Sequence, residues 1–396
     1  MTTIPDANAS APAWEVQLVT LLATLDATAI ARDRTGGHAA AEREAIRRSG
    51  LLHLSTPVVY GGHGLSWSAL FGVVRRVAAV DSALAHVFAF HHLQVATVLL
   101  YGTPAQHVQW LEPAVRENLF WGNALNPNDK RTLAHNAGDG FVVHGPKSYC
   151  SGSVGADYLT FSAWHESSQS LLIAAIPSQR AGVAVQADWN AFGQKQTDSG
   201  TVNFNQVQIA PHEVLVWPGT PAAPRATLRS QVAQLVLVNL YLGIAAGALA
   251  QGLRYTREKS RPWFASGAAA AVQDPYVQHR YGELQVILRP AQVLADHAAQ
   301  QLDAALEQGE AVTTETRGQL ALAVAEAKAL AHRAALEIST QVFELTGAGA
   351  TGNDLGLDRF WRNARVHTLH DPIDYKLRDI GRHLLEGVYP TPSSYS

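Results

Sequence analysis

Three Ala/Leu-rich stretches, Ser230 to Lys259, Pro275 to Gly309 and Thr314 to Thr346, hold helical spacing far beyond the roughly 11–12 residues of an average globular helix. A shorter one runs from about Asp371 to Leu385. Apolar-faced segments this long, joined by short connections, bury one another most simply as an antiparallel four-helix bundle. Upstream, from Trp14 to about Glu117, helical spacing also prevails, as in Leu18, Leu21, Leu22 and Leu25, then Leu70, Val73, Val74 and Val77. Its breaks are Arg34-Thr35-Gly36-Gly37 and the Pro/Gly-rich stretch Thr56 to Gly64. Between about Phe120 and Val216 the pattern becomes short β-branched or aromatic runs, Phe141 to His144, Tyr158 to Phe161, Ser170 to Ile176 and Thr201 to Phe204, separated by Gly, Ser, Asn and Asp. That predicts a small antiparallel β domain, closed by the Pro-rich linker Trp217 to Pro224. The expected class is α+β: a helical N-terminal domain (1–117), a central β domain (118–225) and a C-terminal four-helix bundle (226–396). No period typical of solenoids or propellers repeats.

Charged residues are only 16% of the chain, against about 25% in average soluble proteins, which points to surface covered by a further subunit. A net charge of -3, with no basic stripe, argues against nucleic acid and against an anionic membrane as partners. One cysteine, Cys150, excludes an internal disulfide and any all-cysteine metal or cluster site, so a reducing, cytoplasmic address is expected. The N-terminal stretch lacks a basic n-region, and Glu15, Gln17 and Asp26 interrupt its apolar residues; neither a signal peptide nor a spanning helix is expected there.

Gly347 to Gly352 matches G-x-G-x-x-G, but a helical segment precedes it and a Gly/Asn/Asp loop follows. A dinucleotide turn needs a strand before and a helix after, so the run reads as a glycine loop closing a bundle helix. The 17 histidines show no H-E-x-x-H and no E-x-x-H pair, and His91 and His92 are adjacent, about 100° apart on a helix; no metal is expected. His38, His53, His107, His135, His279 and His297 read as surface or hydrogen-bonded core residues. His367 and His370 lie at i and i+3 just before Pro372, which can open the last helix. That spacing suits proton handling, and equally suits Asp371 as a helix cap with His370 facing solvent. Ser151-Gly152-Ser153 could be turn chemistry alone.

This layout, with Tyr60-Gly61-Gly62 early in the chain, resembles the acyl-CoA dehydrogenase fold from about Trp14 to Pro390. Within that fold several segments are similar to the dibenzothiophene monooxygenase branch of the two-component, flavin-dependent (group D) monooxygenases. They are Glu42-Arg43-Glu44 with Ser49 to Leu52, Gly145 to Gly152, Asp188 to Gly193, Gln196 to Gly200, Asn239 to Ala245, Ser260 to Trp263, and Asp358 to Asn363 through His370-Asp371-Pro372. Many dehydrogenases of the fold carry a glutamate base in a Tyr-Glu-Gly triplet where this chain has His370-Asp371-Pro372. The shorter carboxylate would not reach the same proton.

The resemblance implies reduced FMN, delivered by diffusion from a separate NAD(P)H-dependent reductase, and dioxygen, reacting through a C4a-hydroperoxide. The implied substrate is a small apolar heteroaromatic or organosulfur compound, with S-oxidation of a dibenzothiophene-like molecule foremost. The alternatives are a related oxygenase acting on carbon or nitrogen, as on an indole, an FAD-dependent acyl-CoA dehydrogenase, and a helical scaffold without flavin.

By the same resemblance His86, Asn123, Ser151 and His370 are catalytic. Asn123, Ser151, Trp189, Thr197, Ser199, Arg261, Trp263 and His370 would hold the flavin, and Phe90 and His91 would line the substrate pocket; Trp189 could equally be β-domain core. It further implies a homotetramer with flavin sites at a subunit boundary and Arg261 reaching a neighbour's cofactor. Two departures bear on the substrate, Phe90 where a tyrosine is expected and a shorter stretch from Asn126 to Gly140, and a third, Gly349 where an arginine is expected, removes a phosphate or oligomer contact.

Overall fold

The computed structural model describes residues 12–396. The N-terminal domain contains α1 (Ala13–Thr35), α2 (Ala40–Arg48), α3 (Trp67–Val80), α4 (Ser82–Tyr101) and α5 (Pro104–Arg116). Local chemistry sets the starts. Ser66 accepts from the amide of Ala69 and Asp81 from that of Leu84, while Thr103 and Gln106 form a reciprocal capping box. α4 is buried on nearly every side because α3, α6 and the sheet enclose it.

The central sheet contains β1 (Trp121–Ala124), β2 (Leu133–Ala137), β3 (Gly140–Lys147), β4 (Tyr158–His165), β5 (Ser170–Pro177), β6 (Val183–Val185), β7 (Val202–Ile209) and β8 (Val214–Val216). They are ordered β6-β7-β3-β2-β4-β5-β8, with β1 pairing β4. Most pairs are antiparallel as expected, but β1 runs parallel to β4, with Trp121 opposite Tyr158, and β2 meets β4 in parallel at Leu133 and Trp164. The sheet is therefore mixed. β1 is fully buried beneath α4, the setting in which parallel strands are stable, and a strand of four residues carries no signal of its pairing direction.

The bundle is α6 (Leu228–Glu258), α7 (Pro275–Glu307), α8 (Thr314–Thr346) and α10 (Ile373–Glu386), with the short α9 (Asp358–His367) inserted before the last helix. Cβ atoms at Gly243 and Gly247 would collide with the backbone of α3 at Arg75 and Ala79. These two glycines let α6 lie close against α3, and they lock the bundle onto the N-terminal domain.

Among the described residues three helices, α1, α4 and α6, are long and apolar enough to cross a membrane by length and composition. For α4 and α6 the apolar surface is spent inside the protein, nearly all of it being buried. α1 corrects the expectation drawn from Glu15, Gln17 and Asp26: despite them it is apolar enough by composition, and most of its surface is exposed. It lays Leu18, Leu21, Leu25 and Ala29 on the domain core and is tied down by Arg32, which pairs with Asp81 at 2.6 Å and Glu42 at 3.1 Å. The part of the signal-peptide expectation that rests on residues 1–11 lies outside the described residues.

Candidate active site

Two loops of the β domain converge beside α4. The loop after β3 carries Ser151 and the one before β7 carries Thr197 and Ser199. Ser151 Oγ lies 2.8 Å from Ser199 Oγ, Ser199 donates to Thr197 Oγ1 at 2.8 Å, and Thr197 donates to the Gln194 carbonyl at 3.0 Å. Backbone bonds fix the loops to each other: Gly152 N–H donates to the Thr197 carbonyl (2.8 Å) and Cys150 N–H to that of Gly200 (2.9 Å). Asn123 joins from β1, its N–H donating to the Ser151 carbonyl at 2.9 Å. Asn123, Ser151, Thr197 and Ser199 are all buried, so four residues proposed from sequence form one polar cluster. Trp189 is half-buried at its edge; its indole N–H shares the Gln194 carbonyl with Thr197, at 2.9 Å. It lies outside the β-domain core. The exposed Tyr149, held at φ 58°, meets its ring edge-on at 6.1 Å.

Helices α4 and α9 meet these loops, Gln194 donating from its backbone N–H to Asn363 Oδ1 at 2.6 Å and from its side-chain amide to Ser82 Oγ at 3.2 Å. His86 on α4 sits 2.6 Å, Nδ1 to Nε2, from His367 at the end of α9, and Phe90 stacks on His86 at 4.0 Å. Burial pushes His86 down to about 3, with a lesser push from His370, and pushes His367 well below 6.5. Both rings are therefore neutral at physiological pH, and one hydrogen bond joins them. The outward nitrogens, His86 Nε2 and His367 Nδ1, are buried without a partner among the described residues. Neutral imidazoles so joined have coupled tautomers: one outward nitrogen is a donor and the other an acceptor, and exchanging the roles moves a proton across the pair. The Tyr241 hydroxyl donates to the His367 carbonyl at 3.0 Å and fixes the end of α9.

His370 follows, with Nδ1 3.0 Å from Asp371 Oδ1. Asp371 also accepts from Lys328 of α8, which is itself buried and donates to Gln234 at 2.6 Å. Burial brings Lys328 down to about 8 against the pull of Asp371. Burial alone would raise Asp371, but its bond to His370 and the charge of Lys328 hold it well below the usual carboxylate range. A carboxylate so engaged is a poor proton acceptor. His370 is partly exposed and borders a cavity of about 460 Å³, lined also by Asn128, Tyr375 and Tyr395.

Other expected residues stand apart. Both nitrogens of His91 are engaged, Nε2 donating to the Leu52 carbonyl (2.9 Å) and Nδ1 accepting from Trp121 N–H (3.1 Å). It has no polar atom left for a substrate and instead fixes the start of β1, the strand of Asn123. Arg261 and Trp263 lie in the exposed stretch between α6 and α7, where Trp263 is 68% exposed and packs on Phe264 at 4.6 Å. Within one chain they are not brought to the cluster. Gly349 sits in a short 3-10 turn after α8, facing the Tyr255 hydroxyl at 2.6 Å from where a Cβ would be; an arginine there would displace Tyr255. His38, read as a surface or hydrogen-bonded core residue, is hydrogen-bonded: its Nδ1 lies 2.7 Å from Asp198 Oδ2.

The spacing of His367 and His370 marks His367 for proton handling but not as the partner of His86, and no motif points to Tyr241 as its anchor or pairs Lys328 with Asp371. Lys328 does leave a trace, as a lone cation inside an alanine run on the buried face of α8. Among the described residues, no group of three or more His, Cys, Asp or Glu side chains is placed to hold a metal ion.

The model of the acyl-CoA dehydrogenase C-terminal domain matches residues 235–375, and that of the N-terminal domain residues 23–118. The chain is 48% identical over 370 residues to a "Probable FMNH2-dependent monooxygenase SfnC" of Pseudomonas putida, covering 93% of this chain and 94% of that one. The structure of methanesulfinate monooxygenase MsuC from Pseudomonas fluorescens superposes with a TM-score of 0.95 at 46% identity, covering 98% of this chain and all of the other (100%). That of dibenzothiophene monooxygenase TdsC from Paenibacillus sp. A11-2 gives 0.91 at 40% identity, covering 97% and 100%; TdsC has also been solved with FMN bound.

Proposed function

The chain belongs to the acyl-CoA dehydrogenase family, in its branch of flavin-dependent monooxygenases, and from that premise we propose that it uses reduced FMN and dioxygen to oxygenate sulfur in a small organosulfur compound. The observation that carries this reading is the state of Asp371. Where a dehydrogenase needs a free carboxylate to take the α-proton of a thioester, this one is held by Lys328 and His370. The similar enzymes are named for methanesulfinate and for dibenzothiophene, which share a sulfur atom as the oxidisable centre. For a sulfide substrate the balance is sulfide, dioxygen and reduced FMN giving sulfoxide, oxidised FMN and water.

The residues present fit a flavin. Buried His86 Nε2 and His367 Nδ1 lack partners among the described residues, and the hydroxyls of Ser151, Thr197 and Ser199 offer adjustable donors and acceptors. Reduced FMN, when bound, supplies the electrons that activate dioxygen. Thr197 and Ser199 would hold it, with Trp189 against the ring, and Arg261 and Trp263 of a neighbouring subunit would hold the phosphate end; that role suits their exposure here. Ser151, Asn123, His86 and His370 would present hydrogen bonds at the reacting edge. A preorganised donor is worth most where water is excluded, and the burial of the first three supports that reading. Phe90, stacked on His86, gives the substrate side an apolar wall in place of a phenol hydroxyl.

A separate reductase as electron source is supported by the run Gly347 to Gly352, which forms 3-10 turns after α8 and not a strand-to-helix phosphate loop. A homotetramer is supported by the exposed Trp263–Phe264 pair and by the low charge fraction. A cytoplasmic address is supported by the sole, buried cysteine, whose thiol burial pushes up to about 12. The test is oxygen uptake with chemically reduced FMN and dibenzothiophene or an alkanesulfinate. Uptake matched by an oxygenated sulfur product is expected, and uptake without product from either class would overturn the sulfur assignment.

A further inference from the structure

We propose that Arg43, on α2 of the N-terminal domain, is a positioning residue of the oxygenation site, acting through the two loops that carry Ser151, Thr197 and Ser199. The inference rests on the flavin reading above for its consequence but not for its geometry. Arg43 is 5% exposed and its guanidinium reaches three acceptors on both loops. Nη2 donates to the Gly152 carbonyl at 3.2 Å, and Nη1 donates to the Val154 carbonyl and to Asp198 Oδ2, the latter at 3.0 Å. The guanidinium plane lies over the Phe120 ring at 4.4 Å, which leaves it little freedom to move.

Two of these three acceptors are next to the site hydroxyls in sequence. Gly152 follows Ser151, and Asp198 separates Thr197 from Ser199. A shift of either carries a hydroxyl with it, and Val154 anchors the far side of the Ser151 turn.

The loops need such a hold. Asp198 sits at φ 48° and Tyr149 at φ 58°, in the left-handed region that side-chain-bearing residues adopt only when their surroundings over-determine them. Within the β domain the loops are joined by the Gly152–Thr197 and Cys150–Gly200 backbone bonds and by the hydroxyl chain itself. Arg43 binds both from outside, as a rigid fork that a lysine cannot imitate. Misplacing a catalytic group by about 1 Å can cost about a hundredfold in rate, so a clamp on both loops bears on whether oxygen reaches the substrate or is lost as peroxide.

Arg43→Lys separates the two components of the clamp, since an ammonium can neutralise Asp198 but cannot span three acceptors. Hydrogen exchange of the flavin-free protein is the primary readout. The loops 149–155 and 194–200 are expected to exchange at least about tenfold faster, with the amides of α6 and α8 unchanged, because local opening is separable from global unfolding. Supplied with reduced FMN, the variant should release several times more hydrogen peroxide per dioxygen consumed. Asp198→Asn serves as a second variant: it should loosen 194–200 more than 149–155 and also raise peroxide release. Wild-type protection in both loops of Arg43→Lys would overturn the proposal, and so would loosened loops with wild-type peroxide release, which would make Arg43 a domain anchor only. Failure of the wild-type protein to oxygenate any sulfur compound would instead count against the functional reading, and the exchange result would stand apart from it.

Discussion

Replacing His367 with phenylalanine tests whether the two facing imidazoles serve chemistry or only packing. The substitution keeps an aromatic ring under Tyr241 and retains the backbone carbonyl that the Tyr241 hydroxyl binds. It removes the Nε2 that meets His86 Nδ1 at 2.6 Å and the unpartnered Nδ1. His86 Nδ1 is then left buried without a partner, which costs about 1–3 kcal/mol. At about 2–4 °C per kcal/mol for domains of 150–250 residues, melting should fall by several degrees without loss of the fold. His86 is also freed to take either tautomer, so its Nε2 no longer has a defined role as donor or acceptor. Loss of one preorganised donor lowers rates by about 10²- to 10³-fold in comparable sites. The assay is sulfur product formed per dioxygen consumed with reduced FMN, beside a thermal melt; His367→Gln, whose amide can still meet His86, should recover part of both. A lowered melting temperature with wild-type product yield would refute the reasoning and make the pair a packing contact.

Ser151→Ala and His370→Ala are each expected to leave the fold intact and flavin binding only modestly weakened, while product per dioxygen falls at least about tenfold and the balance leaves as hydrogen peroxide; unchanged yields would return both residues to turn and cap roles. Stability should depend on pH through the buried histidines. Burial takes His86 and His91 from 6.5 to about 3, so below about 6.5 the unfolded chain binds protons that the folded one refuses. Their contribution is full above about 6.5 and is lost as pH falls toward 3, at about 1.4 kcal/mol per pH unit for each imidazole. Melting temperatures from about pH 7 down to pH 5 check this, and a flat profile would contradict it.

The long bundle helices were legible because capping chemistry and periodicity agree. α7 begins at Pro275, where Asp274 accepts from the Tyr276 and Val277 amides, and α8 runs from Thr314 to Thr346 as its spacing indicates. α9 was not legible, since its short, arginine-rich run has a narrow apolar face and gains its burial from α6 and α8. The parallel β1 was hidden for a similar reason: its direction is set by α4 and β4, not by its own four residues. At the site, the hydroxyl cluster of Ser151, Thr197 and Ser199 came from family resemblance, because serine and threonine in turns have no chemical signature of their own. The His86–His367 contact joins residues 281 apart, and no local pattern encodes such a pairing; the i, i+3 spacing of His367 and His370 marked only that something there could handle protons. Lys328 shows the opposite case. A cation set among the buried Ala325, Ala327, Ala329 and Ala331 of α8 demands a counter-ion, and Asp371 supplies it.

Oxygen transfer from dioxygen is tested most directly by isotope. The purified protein, given anaerobically reduced FMN and then heavy-oxygen-labelled dioxygen in ordinary water, with dibenzothiophene or an alkanesulfinate present, should yield a sulfur product carrying the label. The same experiment with labelled water and ordinary dioxygen should leave the product unlabelled. Unlabelled product from labelled dioxygen, or rapid anaerobic bleaching of bound oxidised flavin by an acyl-CoA, would contradict a monooxygenase and restore the dehydrogenase chemistry of the wider family.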